Sequence, residues 1–141
     1  MSRRSCGRAG TRHSGKTGTV NQTEAEKIVR QAEAVYRRRD IEATMALYTD
    51  DAVIVWNDRE VARGADEVRA FHERFYDPSI RNVQLDKTLI AASGDWIAVE
   101  WTAGWDNPDG TKARQIAGEH WKMRGGKLCE WRAFVSTKRV A

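Results

Sequence analysis

Apolar and polar residues alternate along the last third of the chain, from Val83 to Val135, and the alternation predicts a long antiparallel meander of four strands. Turn signals separate the strands at Ser93-Gly94-Asp95, at Asn107-Pro108-Asp109-Gly110 and at Gly125-Gly126. The last pair supplies the positive φ angles of a tight hairpin. In one strand Ile97, Val99, Trp101, Ala103 and Trp105 share a face, opposite Glu100, Thr102, Gly104 and Asp106. In the next, Ala117, Trp121 and Met123 oppose Arg114, His120 and Lys122. In the last, Cys129, Trp131, Ala133 and Val135 oppose Glu130, Arg132, Phe134 and Ser136. One face of the sheet is therefore rich in tryptophan and needs a cover. Glu119 falls on that apolar face.

The period changes upstream. Ala25, Ile28, Val29, Ala32, Val35 and Tyr36 recur at helical spacing behind a capping box at Thr23-x-x-Glu26. Arg37-Arg38-Arg39 closes this helix, where cations suit the dipole, and reads as a solvated end. Asp40 caps a second, short helix that turns Ile41, Thr44, Met45 and Tyr48 inward. A short hairpin follows: a strand over Ala52 to Asn57, a turn at Asp58-Arg59-Glu60, and a return over Glu60 to Ala62. A third helix from about Ala65 to Tyr76 places Val68, Phe71, His72 and Phe75 on one face, and Asp77-Pro78 stops it. Three helices packed on a strongly curved antiparallel sheet make an α+β fold.

At 141 residues, with 40% hydrophobic and 31% charged residues, the chain is one domain with room for a real core. The net charge of +4 belongs to the first twenty residues, where Arg3, Arg4, Arg8, Arg12 and Lys16 stand without an acid. The 24 basic residues less these five leave 19 against 20 acidic ones, so the body is nearly neutral. That argues against nucleic acid as a partner, which needs a folded basic surface. Residues 1–21 read as a disordered basic tail and 22–141 as the domain. Gly10 to Thr17 matches a phosphate loop letter by letter, but no hydrophobic strand precedes it to hold its amides in place. No apolar run is long enough to span a membrane. With only Cys6 and Cys129, no disulfide is expected, and the setting is expected to be reducing and cytoplasmic. No metal site is expected, because His72-Glu73 lacks the second histidine of a zinc helix, and no cofactor is expected.

The element order, with Ala46-Leu47-Tyr48-Thr49-Asp50-Asp51-Ala52, then Gly64 and a helix, resembles the NTF2-like superfamily in its SnoaL-like and ketosteroid-isomerase-like branch. The endings Gly118-Glu119-His120-Trp121-Lys122-Met123 and Trp131-Arg132-Ala133-Phe134 strengthen the resemblance, which covers about Thr23 to Val140. It implies a cone-shaped fold around a pocket and a homodimer through the back of the sheet. Carried over position by position, the isomerase base falls on the face that carries Trp56, the oxyanion tyrosine at about Ala32, the protonated acid at Glu119, and a supporting tyrosine at His72. The epoxide-hydrolase-like branch needs an Asp-Arg-Asp set. Its aspartate on the last strand falls at Ala133, and no inward arginine stands out.

The candidate catalytic groups are thus Glu119 and His72, with Trp56, Trp101, Trp105, Trp121, Trp131, Ala133 and Tyr48 lining a ligand pocket. A carboxyl between Ala117 and Trp121 loses hydration and could exchange protons near neutrality. Equally, it could be a structural glutamate satisfied by an indole N–H, a tyrosine hydroxyl or an arginine. His72 could be a reactive group or a hydrogen-bonded core histidine. Two functions stay open. One is an isomerase, cyclase or hydratase acting on a hydrophobic small molecule. The other is a non-catalytic dimerising or ligand-binding module.

Overall fold

The computed structural model describes residues 19–140. The tail's phosphate-loop match and Cys6 lie outside the described residues. The chain runs α1 (Gln22–Arg38), α2 (Ile41–Met45), β1 (Tyr48–Trp56), β2 (Arg59–Arg63), α3 (Ala65–Phe75), then the meander β3 (Arg81–Ser93), β4 (Trp96–Asp106), β5 (Lys112–Arg124) and β6 (Lys127–Val140). The three helices are two long ones and a five-residue turn, and α3 follows the first hairpin.

The six strands form one sheet in the order β2-β1-β6-β5-β4-β3. It is mixed, not wholly antiparallel as expected, because β1 runs parallel to β6. The two-residue turns Asn57-Asp58 and Gly125-Gly126, all at positive φ, force their flanking strands to be antiparallel. β1 and β6 are instead joined through α3 and the whole meander, a connection long enough for parallel pairing. The expected faces are observed on β4 and β5, where Ile97, Val99, Trp101, Ala117, Trp121 and Met123 are buried. On β6 a register shift sets Leu128 opposite Met123, so that Leu128 joins the core cluster beside Trp131 and Ala133. Cys129 is disulfide-bonded, which overturns the expectation of free thiols.

The cap of α1 stands two residues earlier than predicted, at Asn21. Asn21 accepts from the Glu24 amide at 2.8 Å and donates to the Glu24 carboxylate at 3.0 Å, the same reciprocal spacing as a capping box. Val20 is also part of the fold. It donates to the Gly94 carbonyl at 2.8 Å and packs on the core. Tyr48, expected on α2, is the first residue of β1.

β3 is the outermost strand, so one row of its backbone groups has no strand to meet. Side chains of α1 meet them. Arg37 donates to the Leu85 carbonyl at 2.6 Å and Arg30 to the Lys87 carbonyl at 2.9 Å. Glu33 accepts from the Lys87 amide at 2.7 Å. Gln22 donates to the Ile90 carbonyl at 2.8 Å and accepts from the Ala92 amide at 3.0 Å. The bonded residues change from odd to even because the register with β4 shifts between Lys87 and Leu89. The same shift leaves Leu89 exposed while Ile90 and Ala92 pack on the core. The arginine triplet is therefore not simply a solvated end. Arg37 ties α1 to β3, and Arg39 ties it to the Asp77 and Ile80 carbonyls.

Glu33 is buried and receives Arg30 and Arg37 as ion-pair partners while holding the Lys87 amide. Glu33→Ala should strand that amide, at about 1–3 kcal/mol in urea denaturation. Hydrogen exchange should accelerate first at the Lys87 amide, ahead of the core strands β5 and β6.

Candidate functional site

Four neighbouring strands place one residue each on the inner face around Glu119. Across the sheet Glu119 faces Val99 on β4 and Ala133 on β6, so Trp101 and Trp131 stand on its two diagonals. Trp121 lies two residues along β5, and Lys87 on β3 pairs with Trp101. All five side chains converge. Glu119 Oε1 accepts from Lys87 Nζ at 2.7 Å and from the Trp121 indole at 2.8 Å. Oε2 accepts from the Trp101 indole at 2.6 Å and from the Trp131 indole at 2.7 Å. Each carboxylate oxygen thus receives two donors. Four donors fill the acceptor positions of the two oxygens. Glu119 is 1% exposed and Lys87 5%. The Lys87 ammonium also lies over the rings of Trp101 (5.2 Å), Trp121 (5.4 Å) and Tyr36 (5.8 Å).

Beside this cluster lies a cavity of about 130 Å³. Trp56, Trp101, Trp105 and Trp131 line it, and so does His72. Glu119, Trp121, Tyr48 and Ala133 do not. They are packed behind the lining at 3% exposure or less. The alternation of residues identifies the face correctly, but the outer layer of side chains, Lys87 and Tyr36 included, stands between these four and the cavity.

Tyr36, Arg39, Lys87 and Gln115 are lining residues that the sequence reading did not single out as pocket groups. Arg39 corrects the expectation of no inward arginine: as the first residue past α1, at φ 54°, it turns its side chain back toward the cavity. Lys87 had a signal. It follows Leu85 at strand spacing, in the phase that Leu85 turns inward. Tyr36 ends the apolar stripe of α1 and looked like core.

His72 projects from α3 between two parallel rings, Tyr36 at 5.6 Å and Trp131 at 5.6 Å. Its Nε2 lies 2.8 Å from the Tyr48 hydroxyl, which lies 3.3 Å from the Tyr36 hydroxyl. Burial pushes the His72 pKa down to about 4, so the ring is neutral at neutral pH. Burial also raises the pKa of Tyr36 and of Tyr48, which keeps both hydroxyls protonated. The three groups form a neutral chain from a buried imidazole to a hydroxyl at the cavity. Among the described residues no group of three His, Cys, Asp or Glu side chains could hold a metal ion.

The pattern of the SnoaL-like domain matches residues 29–131. No curated protein matches the chain. Solved structures match at the level of fold. An LEH-like epoxide hydrolase of M. tuberculosis superposes with a TM-score of 0.69 at 17% identity, over 82% of this chain and 84% of that one. The epoxide hydrolase/cyclase-like enzyme SalBIII, described in pyran ring formation in the polyether salinomycin, gives 0.68 at 21% identity, over 81% and 92%. A Catenulispora acidiphila protein of ketosteroid isomerase-like fold, in complex with trimethylamine, gives 0.67 at 19% identity, over 76% and 83%.

A neutral buried histidine gives stability a definite pH slope. Between about pH 6.5 and 4 the unfolded chain binds a proton that folded His72 refuses. Its contribution is fully present above the unfolded value and is lost as pH falls through this window, by about 3 kcal/mol. Urea denaturation across the window should show this loss in the native chain, and His72→Phe should flatten it.

Proposed function

The chain belongs to the SnoaL-like domain family, and from that premise we propose that it encloses a small, mainly apolar molecule and moves a proton on it, as an isomerase, cyclase or hydratase does. Lys87 carries this reading. An ammonium in the wall of an apolar cavity is unfavourable, and a methionine would fill the space without that penalty. The chain commits a buried carboxylate and the indole of Trp121 to the oxygen that holds it. A fixed positive charge at a dry site serves a negative charge that develops on a ligand oxygen. In this reading Glu119 is a positioning residue that keeps Lys87 aimed. His72 is the neutral end of the proton path through Tyr48 to Tyr36.

The cavity volume selects the ligand's size. A cavity of roughly 150 Å³ accepts benzene, so about 130 Å³ suits a single ring. A binding-only module has one observation in its favour: Trp56, where the resemblance places a base, instead meets Trp131 edge-on at 5.7 Å. Pairing of two copies through the outer face of the sheet belongs to the same proposal, with Ile116 and Phe134 exposed there. No helix among the described residues is long and apolar enough to cross a membrane. The cytoplasmic setting remains part of this reading, with the disulfide at Cys129 the observation against it.

Native mass spectrometry of the purified protein, followed by denaturation and small-molecule analysis, should release a ring-sized apolar compound. Toluene should quench the fluorescence of the lining tryptophans. A protein that carries nothing and takes up no toluene would overturn the pocket reading. Lys87→Met should keep toluene binding and lower turnover of the released compound by about 10²–10³. Undiminished turnover would remove Lys87 from the reaction, and absence of any turnover in the native protein would leave the binding module.

A further inference from the structure

The geometry points to a ligand that is an acid: a single-ring apolar carboxylate whose charged end meets Arg39. This deepens the pocket reading above and rests on it, but it does not depend on catalysis. Three observations converge. First, the cavity lining contains two cations, Arg39 and Lys87, and no carboxylate among the described residues. Glu119 pairs with Lys87 from behind the lining, so Arg39 is the lining cation that no carboxylate of the described residues contacts directly.

Second, the Arg39 guanidinium is held by backbone carbonyls and not by a direct ion pair. Its Nη1 and Nη2 donate to the Asp77 carbonyl at 3.2 Å and the Ile80 carbonyl at 2.8 Å, and among the described residues no carboxylate forms an ion pair with it. The Asp77 carboxylate accepts from the Ser79 amide at 2.8 Å, which holds its pKa down with a smaller contribution from the Arg39 charge. Two backbone carbonyls fix the fork in place and leave further N–H groups for a planar, two-oxygen partner.

Third, Arg39 stands at φ 54°, just past α1, at a position where helices favour glycine. A non-glycine residue there carries backbone strain, which a chain tolerates where the side chain has a task. The two lining cations also exclude the opposite class. An aromatic cage suits a quaternary amine, but here Lys87 already lies over three of the rings.

The test is a titration of the native protein with toluene, benzoate, benzamide and benzylamine at neutral pH, read by tryptophan fluorescence and calorimetry. Benzoate should bind at least about tenfold tighter than benzamide or toluene, as a charge-assisted pair does over a neutral one, and benzylamine should bind weakest. Added salt should weaken benzoate and leave toluene unchanged. Arg39→Gln, which keeps donors for the two carbonyls, should remove the benzoate preference and keep toluene binding. Toluene bound as tightly as benzoate would overturn the acid inference and leave the pocket reading standing. No binding of any of the four would overturn the pocket reading itself. A preference that survives Arg39→Gln but vanishes in Lys87→Met would move the anion from Arg39 to Lys87 and refute the assignment made here. If Arg39→Gln does not fold, the ranking and salt dependence in the native chain decide.

Discussion

One carboxylate stitches four strands together. Glu119 draws Lys87 from β3, Trp101 from β4, Trp121 from its own strand and Trp131 from β6, with two donors on each oxygen. Desolvating a carboxylate is expensive, and only complete satisfaction of its acceptor positions makes it tolerable. That requirement fixes much of the inner face. The indoles can turn their N–H edges to Glu119 only if the strands keep their diagonal registers. The rings of Trp101 and Trp131 then line the cavity, and Trp131 stacks on His72. The rigidity of the cavity wall and the placement of Lys87 are therefore the same constraint seen from two sides.

The second support comes from α1. Its side chains bond both backbone groups of Lys87, while the Lys87 side chain bonds Glu119. Lys87 is held from the helix side through its main chain and from the sheet side through its ammonium. A long, flexible side chain is usually a poor way to place a charge. Here the ammonium lies over the rings of Tyr36, Trp101 and Trp121 while Lys87 lines the cavity.

The meander, its turns and its tryptophan face were legible in the chain because period-two alternation and Gly-Gly, Asn-Pro-Asp-Gly and Ser-Gly signals are local. Glu119 stood out for the same reason, as an acid in apolar phase, and an indole partner was among the readings left open. Its cationic partner did not stand out. The phase of β3 breaks between Lys87 and Leu89, and a broken alternation hides an inward lysine among outward charges. Arg39 looked solvated because a triplet of arginines at a helix end ordinarily is. Only the left-handed turn after α1 redirects it. The parallel pairing of β1 with β6 was not readable, since it depends on residues some eighty positions apart and on no turn. Tyr48 and Ala133 were assigned to the right face but to the wrong depth. Depth depends on which side chain stands in front, and sequence phase carries no information about that.

The bonds from α1 to β3 have a further consequence for how copies of this chain can meet. In most sheets an outermost strand offers a free ladder of amides and carbonyls, a template on which another strand can zip and from which fibrils grow. Here α1 occupies that ladder as a surrogate seventh strand. The opposite border of the sheet is β2, only five residues long and carrying Arg59, Glu60 and Arg63. Both borders are closed to strand addition, one by covering and one by brevity and charge. Open-ended growth along the sheet is thereby disfavoured, even for a protein with a broad curtain of β-structure.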